Sequence, residues 1–172
     1  LYGRLLAETQ RWEDLAEWIS RTSEETKEFN DYWAAIGAFF IDRHRHQAAA
    51  RSLLEAVRRD PTDRVSCQRL SRVFAALDRA DDAAQFQLRG IEINRTEINA
   101  VKLFVDPGDA EVRKSMTRDM LELDRPFETL AWTLRMLPPN AAQARQTIQR
   151  QRRSLLLDKS AMRMASESAL RE

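Results

Sequence analysis

Few residues in this chain have the types and spacing that chemistry requires. His44 and His46 lie two residues apart and could contact one metal ion, but no cluster of further ligands is near them in sequence. Cys67 is the only cysteine, and the sequence places neither histidine where it could serve as its base. The acidic pairs at 24–25 and 81–82 fall in expected loops. We interpret the histidines as solvated turn residues, the acids as helix caps or solvated charge, and Cys67 as a buried structural thiol.

Composition and motif content also disfavour catalysis. The 172 residues include 28 basic and 27 acidic side chains, and a net charge of +1 favours neither nucleic acid nor membrane as a partner. The sequence contains no glycine-rich phosphate loop, no nucleophile elbow and no zinc-protease motif. No apolar run approaches the roughly 20 residues of a membrane-spanning helix. We predict a protein that is not an enzyme and needs no metal or cofactor; the sequence indicates no particular compartment.

The elements that would position a site are helices. Small or apolar residues recur at i, i+3, i+4 and i+7, which is one face of an α-helix. These residues are Trp33, Ile36, Gly37 and Phe40. A second helix follows the polar stretch 42–46 and ends before Pro61, and its inner face consists of Ala49, Leu53 and Ala56. The sequence therefore predicts an antiparallel helix hairpin over 30–63.

The hairpin pattern recurs with a period of about 34 residues, the length of a common two-helix repeat. Small residues align with small ones, and large apolar residues with large apolar ones. The forward pairs are Ile36 with Leu70, Gly37 with Ser71, Phe40 with Phe74 and Ala49 with Ala83. The backward pairs are Gly37 with Gly3, Phe40 with Leu6 and Leu53 with Ile19. Three registers at one period predict an array of hairpins, because a single hairpin cannot bury its second face.

Residues 30–63 resemble the tetratricopeptide repeat. On its first helix that pattern has an aromatic, a large apolar, a small and a second aromatic residue. On its second helix it has a small residue, an aromatic and another small residue, followed by proline. Residues 64–95 resemble it more loosely, with Cys67, Gln87 and Arg95 at signature positions, and 1–29 resemble a truncated repeat. The resemblance implies an all-α fold, a right-handed superhelical array of antiparallel helix hairpins (an α-solenoid).

Beyond residue 95 the period breaks. We expect a separate short helix over 96–105, followed by a helix that Asp106 caps, with Pro107 in its first turn, and that runs through Leu123. A further helix opens at 125–132. Residues 107–137 are then a divergent fourth repeat, displaced by an insertion, and the array occupies 1–139.

The C-terminal segment, 140–172, is expected to cap the array or to lead into another domain. Pro138 and Pro139 end the fourth hairpin, and a last helix runs from Asn140 to about Leu157. Residues 158–172 are either a further helix or a linker.

The resemblance also implies a binding surface, since the first helices of tetratricopeptide hairpins line a concave groove that holds peptides. The residues expected there lie a little over a quarter turn from the buried face. They are Arg4, Glu8, Ala35, Ala38, Asp42, Gln68, Arg69 and Arg72. The arginines would hold a carboxylate, and the alanines would leave room. The family's chaperone-tail clamp requires Lys and Asn where this chain has Ala34, Ala38 and Gln68, so that activity is not implied.

Three functional hypotheses follow. The first is a protein–protein interaction scaffold that binds an extended partner segment. The second is an architectural module that packs against a catalytic or β-rich domain of a longer, bacterial multidomain protein. The third is a nucleic-acid-contacting repeat that uses a basic C-terminal segment. Its basic residues are Arg145, Arg150, Arg152, Arg153, Lys159 and Arg163. They surround the helix rather than forming one stripe, and aromatic residues for base stacking are absent from 140–172, which disfavours the third hypothesis.

Overall fold

The computed structural model describes residues 2–123, 125–137 and 140–157. They form nine α-helices, one short 3₁₀ helix and no β-strand, so the all-α prediction is confirmed for this part of the chain. The α-helices are α1 Tyr2–Glu8, α2 Trp12–Arg21, α3 Asn30–Asp42, α4 His46–Arg59, α5 Arg64–Ala76, α6 Ala80–Val105, α7 Ala110–Glu122, α8 Pro126–Met136 and α9 Ala142–Leu157. The 3₁₀ helix, Glu24–Glu28, lies between α2 and α3.

The chain divides into two units. The first ends at Asn94 and the second begins at Arg95, so α6 contributes residues to both. Among the described helices, none combines the length and apolar character that crossing a membrane requires.

The turns α1–α2, α3–α4 and α5–α6 share one geometry. Each contains a residue with φ in the left-handed region, and these residues are Gln10 (57°), His44 (54°) and Asp78 (57°). The N–H of the next residue donates to the carbonyl five residues earlier, in the pairs Arg11 to Leu6, Arg45 to Phe40 and Arg79 to Phe74, each at 2.9 Å. This is a common way to end a helix, because it satisfies carbonyls that have no partner in the last turn. The three turns are spaced by the repeat period found in the sequence.

Glycines allow the two helices of a hairpin to approach closely. A Cβ added to Gly37 would lie 2.5 Å from Leu53 Cγ, and one added to Gly3 would lie 2.2 Å from the Trp18 ring. Ala49 and Leu53 are fully buried. The predicted close approach at Gly37, with Leu53 packed beside it, is confirmed.

The core of unit 1 contains two apolar clusters. One joins α1, α2 and α3 through the buried residues Leu6, Ala7, Leu15, Ala35 and Ala38. The other joins α4, α5 and the start of α6 through Ala49, Ala50, Leu53, Leu70, Val73, Phe74 and Ala83. Phe74 stacks on Phe86 with ring centroids 5.6 Å apart. The contact between α3 and α4 and that between α4 and α5 connect these clusters along the chain.

One helix prediction in the second half of the chain is wrong. Residues 96–105 are not a separate short helix but the last part of α6. A shift by one repeat period places Arg95 where Pro61 stands in the preceding repeat. Without a proline at that position, backbone hydrogen bonding continues without interruption.

The start of α7 also differs from the prediction. The helix begins at Ala110, and its N-cap is Asp109, whose carboxylate accepts hydrogen bonds from the Glu111 and Val112 N–H groups at 3.0 Å. Asp106, the predicted cap, instead accepts from the Gly108 N–H. The reason is that a carboxylate caps a helix only from the residue next to its first turn, and the backbone of 107–108 is a turn.

Unit 2 is built on helix pairs and one buried carboxylate. Helix α7 packs on α8, and α8 packs on α9. Asp119, with no exposed surface, accepts hydrogen bonds from Arg95 Nε and Asn99 Nδ2, each at 2.7 Å. The predicted last helix, ending near Leu157, is confirmed. Residues 138–139, expected to end a hairpin, and the tail 158–172 lie outside the described residues.

We predict that Gly37→Ala destabilises the protein and that Gly90→Ala does not. The new methyl group would collide with Leu53 at position 37, whereas at 90 its nearest neighbour is 3.6 Å away. At position 37, overpacking should cost about 1–3 kcal/mol of stability, offset in part because alanine favours helix over glycine. At position 90 only this helix preference acts, and it should raise the free energy of unfolding by about 0.5–1 kcal/mol. Guanidinium unfolding of both variants measures this. Equal effects would show that Gly37 does not set the helix spacing.

Candidate functional site

A cavity of about 400 Å³ in unit 1 is bounded by α1, α3 and α5, with contributions from the α1–α2 turn and from the first residues of α2 and α4. Its lining residues are Ala7, Glu8, Gln10, Trp12, Ala38, Ile41, Asp42, His46, Arg69, Arg72 and Val73. The wall therefore combines apolar side chains with charges of both signs. Such a combination fits a ligand that buries apolar surface and is oriented by a few polar contacts.

The repeat period explains why there is space at this place. Arg4, Ala38 and Arg72 are one period apart from one another and occupy equivalent positions on α1, α3 and α5. The middle position has a methyl group where its two equivalents have long side chains. The volume that an arginine would fill at position 38 is left open.

Beside the cavity, Arg4 is committed to an intramolecular ion-pair network. Its guanidinium donates to Asp63 Oδ1 at 2.7 Å, to Asp63 Oδ2 at 3.1 Å and to Asp31 Oδ1 at 3.1 Å. Asp63 is buried and is also the N-cap of α5, where it accepts from the Ser66 N–H and hydroxyl. The network thus links α1 to the first turns of α3 and α5.

The pairing with Arg4 lowers the pKa of Asp63. Burial by itself raises the pKa of a carboxyl group, because it disfavours the charged form. Hydrogen bonds from Arg4 and Ser66, together with the positive charge of Arg4, outweigh burial and hold the pKa of Asp63 below its ordinary value. The carboxylate is therefore ionised in the folded protein at neutral pH.

Arg69 has no such partner. Its Nη1 is buried and makes no hydrogen bond with any residue that the structure describes. Burial, and then the positive charge of nearby Arg4, lower the pKa of Arg69. The carboxylates of Glu8 and Asp63 oppose this lowering through their charges, but neither accepts a hydrogen bond from Arg69, and Asp63 is already held by Arg4. An unsatisfied buried donor costs about 1–3 kcal/mol, and more when it is charged.

His46 contributes a second buried nitrogen without a partner. It is the first residue of α4, lines the cavity, and its Nδ1 has no hydrogen bond within the described ranges. The expectation that both histidines are solvated turn residues therefore holds for exposed His44 but is wrong for His46. His46 is the first residue of α4 and is partly buried, whereas His44 lies in the turn before it.

Five of the eight residues predicted for the binding surface line the cavity, namely Glu8, Ala38, Asp42, Arg69 and Arg72. Gln68 is exposed and lines a neighbouring depression together with Arg72. Two predictions are corrected. Ala35 has no exposed surface because it packs into the cluster of α1, α2 and α3, so it cannot contact a ligand here. Arg4 is not a free donor because Asp63 and Asp31 occupy its guanidinium.

The sequence analysis missed the apolar wall of the cavity, which is formed by Trp12, Ile41 and Val73. Ile41 follows Phe40 directly, and Val73 precedes Phe74, so helical geometry places each at the edge of the buried face. The repeat carried a signal for Ile41, which is one period from Ala7, another residue of the cavity wall; Val73 has no equivalent among the lining residues. Trp12 begins α2 and could be located only from the packing of α2 on α1.

The other residues singled out for chemistry have structural surroundings. Cys67 is fully buried, and burial raises its pKa to about 11, which confirms the prediction of a buried thiol. The acidic pairs lie in helices rather than loops: Glu24 and Glu25 begin the 3₁₀ helix, and Asp81 and Asp82 lie in the first turn of α6. Carboxylates stabilise these helix starts through the positive end of the helix dipole.

The basic C-terminal segment is described only in part. Arg145 donates to the Leu137 carbonyl at 2.6 Å, and Arg150 and Arg153 are exposed. The side chain of Arg152, and Lys159 and Arg163, lie outside the described part. Contact with nucleic acid stays the less favoured hypothesis.

We predict that Asp63→Asn lowers the free energy of unfolding by about 2–4 kcal/mol, because Arg4 loses its buried partner. A carboxyl group with a lowered pKa stabilises the fold above its unfolded pKa and loses that effect as the pH falls through its folded pKa. The wild-type protein should therefore lose stability below about pH 4, and the variant should lose less. Chemical unfolding across acidic pH measures both effects.

Asp14→Asn is the matched control for that experiment. Asp14 pairs with Arg11 on an exposed helix surface, where ion pairs contribute little. If Asp63→Asn is no more destabilising than Asp14→Asn, the network does not hold α1 to α5.

We expect Cys67 to resist alkylation in the folded protein near neutral pH. Its thiol is buried, and its raised pKa leaves almost no thiolate, the reactive form. Iodoacetamide labelling followed by mass spectrometry should show little modification until guanidinium unfolds the chain. Rapid labelling of the native protein would contradict the burial of Cys67.

The relation of this chain to known proteins does not indicate a function. The sequence matches no protein-family model, and no curated protein is significantly similar to it. What the chain binds must therefore be inferred from the cavity and the helices around it.

Proposed function

We propose that this chain is a helical-repeat scaffold of the tetratricopeptide type that binds an extended segment of a partner protein, without catalysing a reaction. Two observations support the proposal. The turns at Gln10, His44 and Asp78 have the same geometry and are spaced by the repeat period, and the two helices of a hairpin approach each other closely at Gly3 and at Gly37. In this proposal the hairpins of residues 1–95 follow one another in a right-handed superhelix. Helices α7 and α8 are a divergent repeat of the same kind.

The observation that carries the binding proposal is the unpartnered Nη1 of Arg69. A fold that leaves a buried guanidinium donor without a hydrogen-bond acceptor forgoes stability at that position, and such a cost is typical of binding sites. A carboxylate in the cavity would accept from Arg69 and relieve the cost. Because the donor is already ordered and desolvated, the ligand gains a charge-assisted hydrogen bond in surroundings where it is strong.

A polypeptide fits this cavity because its wall offers several kinds of contact at once. Arg69 and Arg72 would hold a carboxylate, while Trp12, Ile41 and Val73 would bury an apolar side chain. An extended peptide presents neighbouring side chains of both types along one strand, and grooves between helices are a common place to bind one. Aromatic and arginine residues also dominate the energetics of protein interfaces.

We predict that the chain enriches specific peptides from a random display library, and that Arg69→Glu combined with Arg72→Glu weakens their binding by at least about tenfold. The double reversal places negative charge where the ligand carboxylate would bind. Fluorescence polarisation with the selected peptides measures the change. Arg21→Glu on α2 is the control, because Arg21 is highly exposed and does not line the cavity.

Unchanged affinity in the double variant would remove the cavity as the binding site. If no peptide is enriched at all, the interaction-scaffold proposal fails, and the architectural hypothesis becomes the better explanation of the helical array.

A further inference from the structure

The charges of the cavity are segregated. Its arginines, Arg69 and Arg72, both belong to α5, whereas its carboxylates, Glu8 and Asp42, are at the C-terminal ends of α1 and α3. The apolar residues Trp12, Ile41 and Val73 complete the wall. A ligand that satisfies all of these groups must itself have an anion and a cation at different places.

On the positive side, both arginines are available to a ligand. Neither Arg69 nor Arg72 forms an ion pair within the part of the chain that the structure describes. Arg72 is exposed, while the Nη1 of Arg69 is buried without a hydrogen bond. An incoming carboxylate would thus meet one desolvated donor and one solvated positive charge. The desolvated donor distinguishes ligands with a carboxylate from those without one more strongly than Arg72 does, because it gains a hydrogen-bond partner only from the ligand.

On the negative side, Glu8 and Asp42 are one period apart and equivalent in the repeat. Each has one loose ion pair of 3.6 Å, Glu8 with Arg4 Nε and Asp42 with Arg43 Nε. Arg4 makes its short hydrogen bonds to Asp63 and Asp31 instead. Glu8 is also close enough to Arg69 for their charges to interact, so the negative charge of this rim is only partly neutralised, and it can attract a lysine or arginine of the ligand.

We propose that the occupant of the cavity is a mixed-charge segment of a partner protein, with an acidic side chain at Arg69 and Arg72, an apolar side chain on Trp12, Ile41 and Val73, and a basic side chain at Glu8 and Asp42. This inference rests on the proposed function, since it specifies what the same cavity binds.

The test uses the 172-residue chain and a display library of peptides with random sequence. Peptides selected on the wild-type chain should contain an acidic and a basic residue separated by an apolar one. Each selected peptide is then synthesised with both termini blocked, and again with its acid changed to Gln or its base changed to Gln. Blocking the termini ensures that any carboxylate effect comes from a side chain.

Double-mutant cycles assign the contacts. Arg69→Gln should lower the affinity for the parent peptide by about tenfold or more and should leave the affinity for the peptide without the acid almost unchanged. Asp42→Asn should show the same dependence on the basic residue of the peptide. Arg21→Gln, on the exposed surface of α2, should change neither affinity.

Thermal unfolding separates loss of a contact from loss of structure. Arg69→Gln removes a partly buried charge that has no compensating hydrogen-bonded anion among the described residues, so its melting temperature should be equal to or above that of the wild type. A variant that is at least as stable and yet binds an acidic peptide more weakly has lost a ligand contact.

Each outcome decides a different claim. Selected peptides without both charges, the absence of coupling between Arg69 and the acid, or binding that requires a free C-terminus would each overturn the mixed-charge inference while leaving the proposed function in place. Equal binding of single blocked amino acids would overturn it too, because no segment would be needed. Failure to select any peptide rejects the proposed function and this inference with it.

Discussion

The ion pair between Arg4 and Asp63 connects the fold of unit 1 to its cavity. It joins α1 to the N-terminus of α5, far apart in sequence, and caps α5 at the same time, since Asp63 also accepts from Ser66. Because the carboxylate is buried, its charge is tolerated only while Arg4 remains in place. The same pairing engages a carboxylate whose charge also acts on Arg69. One interaction therefore joins the helices and determines how the charges beside the cavity are paired.

Side-chain size within the repeat determines where the cavity forms. Glycine on the first helix brings the two helices of a hairpin together at Leu53 and at Trp18, which fixes the spacing of the wall. Ala38 lies at the repeat position where α1 and α5 have Arg4 and Arg72, so less side-chain volume is present at this part of the cavity wall.

The helices of unit 1 could be predicted, and five of the eight residues proposed for binding lie together at the cavity, because the repeat period constrains which positions share a face. Beyond residue 95 the period no longer applies, and the prediction of a separate helix over 96–105 failed for that reason. Local signals there were ambiguous: both Asp106 and Asp109 are good capping residues, and only the backbone geometry distinguishes them. Ala35 was misplaced because small side chains suit a groove and a core equally well.

The sequence by itself determined that this chain is helical, where its first hairpins begin and end, and which small residues allow close packing. These properties follow from local helix propensity and from the periodic pattern of small and apolar residues, both of which can be read directly from the sequence. The tertiary structure alone decided that Arg4 is paired and Arg69 is not, although both are arginines on first helices. That difference depends on which carboxylates reach each guanidinium, and Asp31 and Asp63 are brought to Arg4 only when three helices pack together.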